Sequence, residues 1–271
     1  MADTLEELSL EGLNFTTLKL SLEDHILTIT LNRPERKNAI NPVMSNELIY
    51  AFDYAKSVRD VRVVVLAAMG DVFCAGGDLR TMSGGGDQGP QSNVPKRGET
   101  DDIALRLRHM HKPVIAKIQG PVFAGALLFV CNATHAYAAD HAHFSAPEIK
   151  RGIWPFMVMA GLFRVMNKRQ GLDFIMRGER ITSEQATTYG LINQAVPAGN
   201  LDETVRKTAT ELASLAPATM QLGLATYNAQ EDMEFDPALP YLRSKLDECL
   251  KSDDAKEGIT AFLEKRDPKW D

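Results

Sequence analysis

Two glycine-bearing segments carry the most visible chemistry in this chain. Phe73-Cys74-Ala75-Gly76-Gly77-Asp78-Leu79 follows an apolar, β-branched run, and Gly120-Pro121-Val122-Phe123-Ala124-Gly125-Ala126 follows a second such run. Each can end a strand in a turn whose backbone N–H groups face outward, and glycine lets that backbone approach a ligand closely. Two such turns aimed into one cavity could hold the charge of a developing oxyanion or enolate. Taken alone, either segment reads equally well as an ordinary tight turn. A third segment, Phe144-Ser145-Ala146-Pro147-Glu148, places a carboxylate ahead of an apolar stretch ending at Trp154-Pro155. A carboxylate facing an apolar pocket has its pKa raised toward the range of a general base, whereas one facing water is an ordinary solvated glutamate.

Other reactive residue types are less telling. His141 and His143 would share one face of a strand, as some metal sites require, but no third ligand has a matching spacing. We therefore expect no metal. His109 and His111 sit near a helix end, where the helix dipole accounts for them. Cys74 lacks an evident histidine partner and reads as a small packing residue. Arg33, Arg36 and Lys37 form a basic cluster suited either to phosphates or to a solvated loop. Trp154 and Phe156 fit an acyl pocket or a core equally well.

These residues need a scaffold that brings distant turns together. Phe15 to Leu20 and Ile26 to Leu31 read as a hairpin, and Pro42 opens a helix reaching about Val58. Val61 to Ala67 and Val114 to Ile118 read as strands buried on both faces, with a helix from about Asp101 to Met110 between them. Ala124 to Cys131 reads as a buried helix and His135 to Ala139 as a third strand. From Ala160 the pattern is mostly helical. Thr182 with Gln185 makes a capping-box signature, and Leu191 to Val196 a short strand. Residues from Leu201 onward give three or four helices. Strand–helix alternation implies an α/β fold with a mainly parallel sheet. The change near Val196 divides a core of residues 1–197 from a helical C-terminal subdomain of residues 198–271. The loop Ser83 to Lys96 is expected to act as a lid.

The formal net charge of −6 argues against general nucleic-acid binding. Cys74, Cys131 and Cys249 form no CxxC pair, which suits a reducing, cytoplasmic setting. The acidic start Met1 to Glu7 reads as neither a secretory signal nor a transit peptide. The longest apolar stretch, Val122 to Cys131, is too short to span a membrane.

In this order the motifs resemble the crotonase superfamily, the enoyl-CoA hydratase/isomerase family, over nearly the whole chain. Leu31-Asn32-Arg33-Pro34 with Lys37-Asn38-Ala39 is similar to the family's early loop. Phe73 to Asp78 and Lys117 to Gly125 are similar to its two oxyanion turns. Phe144 to Glu148 with Gly152-Ile153 matches the segment bearing a catalytic glutamate, and Glu257 to Arg266 the last helix. The resemblance implies the crotonase (ClpP/crotonase-like) fold of repeated ββα units, a homotrimer or homohexamer, and an acyl-CoA thioester substrate with no separate cofactor. It implies that the Gly77 and Gly125 N–H groups hold the thioester oxygen and that Glu148 is the base. It further implies that Lys37, Asn38, Ala39, Ala75 and Asp78 meet coenzyme A, and that Phe262 and Lys265 reach toward it, from a neighbouring subunit in one arrangement.

The chain departs from the hydratase pattern at one position. Where that pattern has a second glutamate, three residues after the oxyanion glycine, this chain has Leu128. Leucine neither accepts a proton nor orients a water. The expected reaction is therefore a Δ3,Δ2-enoyl-CoA isomerase-type proton shift. Hydration with another group replacing the glutamate, and non-catalytic acyl-CoA binding, are the alternatives.

Overall fold

The computed structural model describes residues 8–85, 91–100 and 102–270. In chain order its elements begin with β1 (Leu18–Glu23), β2 (Ile26–Leu31), α1 (Pro42–Ser57), β3 (Val63–Ala68), α2 (Leu79–Met82) and α3 (Asp102–Arg108). There follow β4 (Val114–Ile118), β5 (Val122–Phe123), α4 (Leu127–Asn132), β6 (His135–Ala139), β7 (His143–Ser145), α5 (Phe156–Val165) and α6 (Lys168–Arg177). The chain continues with β8 (Ile181–Thr182), α7 (Ser183–Thr188) and β9 (Gln194–Val196), and closes with α8 (Leu201–Ala213), α9 (Pro217–Gln230), α10 (Phe235–Cys249) and α11 (Asp253–Glu264). No helix of the described residues is long and apolar enough to cross a membrane.

The main sheet has the order β1-β2-β3-β4-β6-β9. β1 and β2 are antiparallel, and every other neighbouring pair is parallel. The hairpin turns through Asp24 and His25, both at positive φ, the geometry whose twist matches the flanking strands. The alternation of β3 divides its side chains between two layers. Val64 and Leu66 join the large core with α1, while Val63 and Val65 pack against Val205, Ala209 and Ala213 of α8. The first C-terminal helix therefore completes the second layer of the sheet.

A second sheet, β5-β7-β8, is absent from the sequence reading. Its strands have two or three residues, too few to display a period of two. It is nonetheless what organises the site. Strand pairs recur, β1-β2 before α1, β4-β5 before α4 and β6-β7 before α5, which gives the ββα repeat. Other differences are local. Residues Ala124–Ala126 form a 3-10 turn ahead of α4. α5 starts earlier than expected, at Phe156, and Leu191 and Ile192 are core residues before β9. The Thr182–Gln185 capping box forms as expected. Of the expected lid Ser83 to Lys96, residues 86–90 lie outside the described residues.

α1 is tied to the start of β1 by a fully buried carboxylate. Glu47 accepts from Thr16 N (2.7 Å), Thr17 N (2.9 Å), Thr16 Oγ1 (3.1 Å) and Thr17 Oγ1 (2.6 Å). Removing it strands buried donors, which is more costly than the bonds' net worth. Glu47→Ala should lower the unfolding free energy by about 2–4 kcal/mol in chemical denaturation, while Thr16→Ala, at a less buried donor, should cost roughly 1 kcal/mol.

Candidate active site

The short strands align the reactive residues. Cys74 bridges Val122 in parallel, and β5 pairs with β7 in parallel through Val122–Phe144 and Phe123–Ser145. Each strand then ends in a reactive turn: Gly76-Gly77 after Cys74, Ala124-Gly125 after β5, and Glu148 after β7. Three turns far apart in sequence thus open at one end of one small sheet. They share a cleft of about 1020 Å³, lined among others by Gly77, Gly125, Leu128, Glu148 and Trp154.

Both glycine turns need their residue types. Gly76 has φ +85°, and a Cβ there would lie 2.9 Å from Ala124 Cβ and 3.0 Å from Gly125 N. The two turns therefore touch at glycine. Ala124 itself is left-handed, at φ 53°, which turns Gly125 into the first turn of the 3-10 segment. A Cβ on Gly125 would sit 3.8 Å from Gly77 N. The turn at Gly77 is held against the loop before α1: Ile40 N donates to Gly76 O (2.8 Å) and Asp78 N to Ile40 O (2.9 Å). With both flanking groups engaged, the Gly77 N–H points away from that loop. Neither Gly77 N nor Gly125 N donates to any partner among the described residues. Two donors without partners thus stand side by side at the cleft wall.

Glu148 lies in the 3-10 turn Pro147–Arg151, which Pro147 starts and left-handed Gly152 closes. Gly178, at the end of α6, packs beneath it; a Cβ there would meet Ile149 Cγ2 at 3.0 Å and Ala146 O at 3.2 Å. The Glu148 Oε2 is buried with no hydrogen-bond partner. Burial raises the carboxyl above its ordinary range, partly opposed by its own backbone N–H and by Arg151. Two other carboxylates line the cleft, and both are engaged. Asp78 accepts from Arg80 N (3.1 Å) as the cap of α2 and lies 3.6 Å from the buried Arg33 guanidinium. Glu179 pairs with Lys150 at 2.9 Å, which holds its carboxyl below the usual range.

The other residues singled out from sequence divide by role. Lys37, Ala39, Ala75, Asp78 and Leu128 line the cleft. Asn38 does not. Its buried side chain accepts from Arg33 N (2.8 Å) and donates to Met69 O (2.8 Å) and Val72 O (2.9 Å), so it braces the loop that presents its neighbours. Arg33 is likewise interior, donating to Ala39 O, and is no phosphate contact. Phe262 and Lys265 lie on and just after α11 and do not line the cleft of their own chain. Cys74 has a structural task beyond packing. Its thiol donates to Asn38 O (3.0 Å) and accepts from Gly76 N (3.4 Å), and burial pushes its pKa up to about 12, so it is no thiolate. His143 meets the Phe123 ring edge-on at 5.5 Å, whereas His141 stands beside Asp140 at the surface. Leu79 and Ile153, quoted above only as parts of motifs, and Met157 line the cleft without having been assigned a role beforehand. Standing at the starts of helices or in a turn, they give no periodic signal.

Comparison with known proteins agrees with this fold. The family model described as Enoyl-CoA hydratase/isomerase matches residues 21–271. The chain is 32% identical over 262 residues to carnitinyl-CoA dehydratase of Salmonella arizonae, covering 94% of this chain and 98% of that protein. It is 28% identical over 248 residues to the mitochondrial enoyl-CoA hydratase domain-containing protein 3 of Rattus norvegicus, covering 92% and 82%. The crystal structure of the human enoyl Coenzyme A hydratase domain-containing protein 3 superposes with a TM-score of 0.86 at 27% identity, over 94% of this chain and all of that one. Matched along its length by family model, relatives and fold, the chain belongs to the enoyl-CoA hydratase/isomerase family.

Proposed function

We propose that this enzyme catalyses a Δ3,Δ2-enoyl-CoA isomerase-type proton shift. The carrying observation is a single disengaged carboxylate, Glu148, in the cleft shared by the Gly77 and Gly125 N–H groups. Glu148 takes the proton from C2 of a 3-enoyl thioester. The released electron pair delocalises to the thioester oxygen, where the two donors stabilise it more than they stabilise the neutral ester. The protonated Glu148 returns the proton at C4, leaving the double bond at C2. No water is consumed, so Leu128 is no obstacle. A raised carboxyl pKa suits a group that must both take and return a proton.

Lys37, Ala39, Ala75 and Asp78 form the coenzyme A portion of the site, with Asn38 and Arg33 supporting their loop. Hydratase activity is the second reading, favoured by the hydratase names among the relatives. It would require Asp78 or Glu179 to leave its present partner. The three cysteines are free thiols, which supports a reducing, cytoplasmic setting.

Glu148→Gln should reduce turnover at least a thousandfold while coenzyme A ester affinity changes less than about threefold; unchanged kcat would remove Glu148 from its role. The wild-type rate should fall with decreasing pH along a limb above the ordinary glutamate range, since the base must be ionised. The raised native pKa also sets the sign for stability. The protonated form's advantage is complete below the unfolded glutamate pKa and is lost as pH rises through the raised native value. Glu148→Gln should therefore melt at or above the wild type at pH 7, with the difference shrinking toward acid pH.

The same reading includes a homotrimer or homohexamer in which Phe262 and Lys265 reach a neighbour's cleft. Phe262 is 82% exposed, with Ile259 and Leu263 also exposed on α11, an apolar face that association would cover. Light scattering should give three or six times the chain mass of 29.9 kDa, and a monomer would contradict it.

A further inference from the structure

The cleft holding Glu148 carries four large apolar side chains that the fold leaves in solvent. Leu79 is 53% exposed, Ile153 44%, Phe156 71% and Met157 50%, and all four line the cleft. Singly exposed apolar residues need no explanation, but a cluster of them inside a cavity points to a ligand. Their positions tie them to the reacting groups. Leu79 opens α2 directly after Gly77-Asp78, Ile153 follows the Glu148 turn, and Phe156 and Met157 open α5. The turns that aim the donors and the carboxylate therefore also carry the apolar wall. Leu128, Phe129 and Trp154 extend it. Trp154 has its polar atom occupied, Nε1 donating to Met159 Sδ at 2.9 Å, so its ring offers hydrocarbon alone.

Resting on the acyl-CoA reading of this site, we infer that the wall binds a medium- to long-chain aliphatic acyl group of about eight carbons or more. A short acyl chain would end among the Gly125, Leu128 and Glu148 groups and leave the exposed side chains wet. A longer chain covers them, and each methylene so buried tightens binding by up to about fourfold. The cavity volume of about 1020 Å³ accommodates such a chain beside part of coenzyme A.

Saturated butyryl-, octanoyl- and lauroyl-CoA, with free coenzyme A, test this by calorimetric titration of the full chain. Saturated esters do not react, so the result does not depend on which reaction the enzyme performs. Kd should fall at least tenfold from butyryl to octanoyl, and further to lauroyl. The double substitution Phe156→Ser/Met157→Ser, at exposed positions, should flatten that dependence in a protein whose thermal melt is unchanged. A Kd that is flat or rises with chain length overturns the inference. So does a double variant with an undiminished dependence, or one whose oligomeric state changes instead, since the wall would then cover a second copy of the chain. Failure of free coenzyme A and of every ester to bind would overturn the acyl-CoA reading beneath it.

Discussion

Everything at this site depends on the contact between two glycine turns. With Gly76 packed against Ala124 at a distance that excludes a further methyl group, the N–H groups of Gly77 and Gly125 are brought to the same wall. The short parallel strands impose that contact from below, and the loop before α1 imposes it from the side through Ile40. Cys74 joins the two constraints, since one sulfur bonds both the loop carbonyl of Asn38 and the Gly76 N–H. The donors are therefore fixed before substrate arrives, and no reorganisation is required as charge develops.

The second determinant is the state of the carboxylates. The cleft holds three, yet two are spent on structure: Asp78 caps α2 beside Arg33, and Glu179 is paired with Lys150. Glu148 alone keeps a buried oxygen without a partner. This asymmetry assigns roles by environment. A carboxylate held by a partner is anchored, while a desolvated one is poised to exchange a proton. With an aliphatic side chain at Leu128, the proposed proton shift asks only for one base acting on two carbons of the same substrate.

Much of this was legible from sequence because glycine turns, a buried β-branched strand such as Val63–Ala68, and Pro147-Glu148 leave local marks. The hairpin, the main-sheet strands and the Thr182 capping box follow from periodicity and turn chemistry. The small sheet was not legible, since β5, β7 and β8, at two or three residues, are too short to repeat a period of two. That the Asn38 side chain is spent inside the fold was not legible, because an exposed polar loop and a buried polar brace have the same composition; what separates them is where its amide finds Met69 O and Val72 O. The apolar wall was only half legible, with Trp154 and Phe156 fitting an acyl pocket or a core equally well. Leu79, Phe156 and Met157 look like core residues until the fold shows them uncovered.

The most direct measurement compares initial rates on a 3-enoyl-CoA ester and on crotonyl-CoA at equal concentration, following double-bond migration in the first and water addition in the second. The proposed proton shift by one free carboxylate predicts migration at least a hundredfold faster than hydration. Hydration at an equal or greater rate would contradict it, because a second acid–base group, such as Asp78 or Glu179 released from its partner, would then have to act beside Leu128.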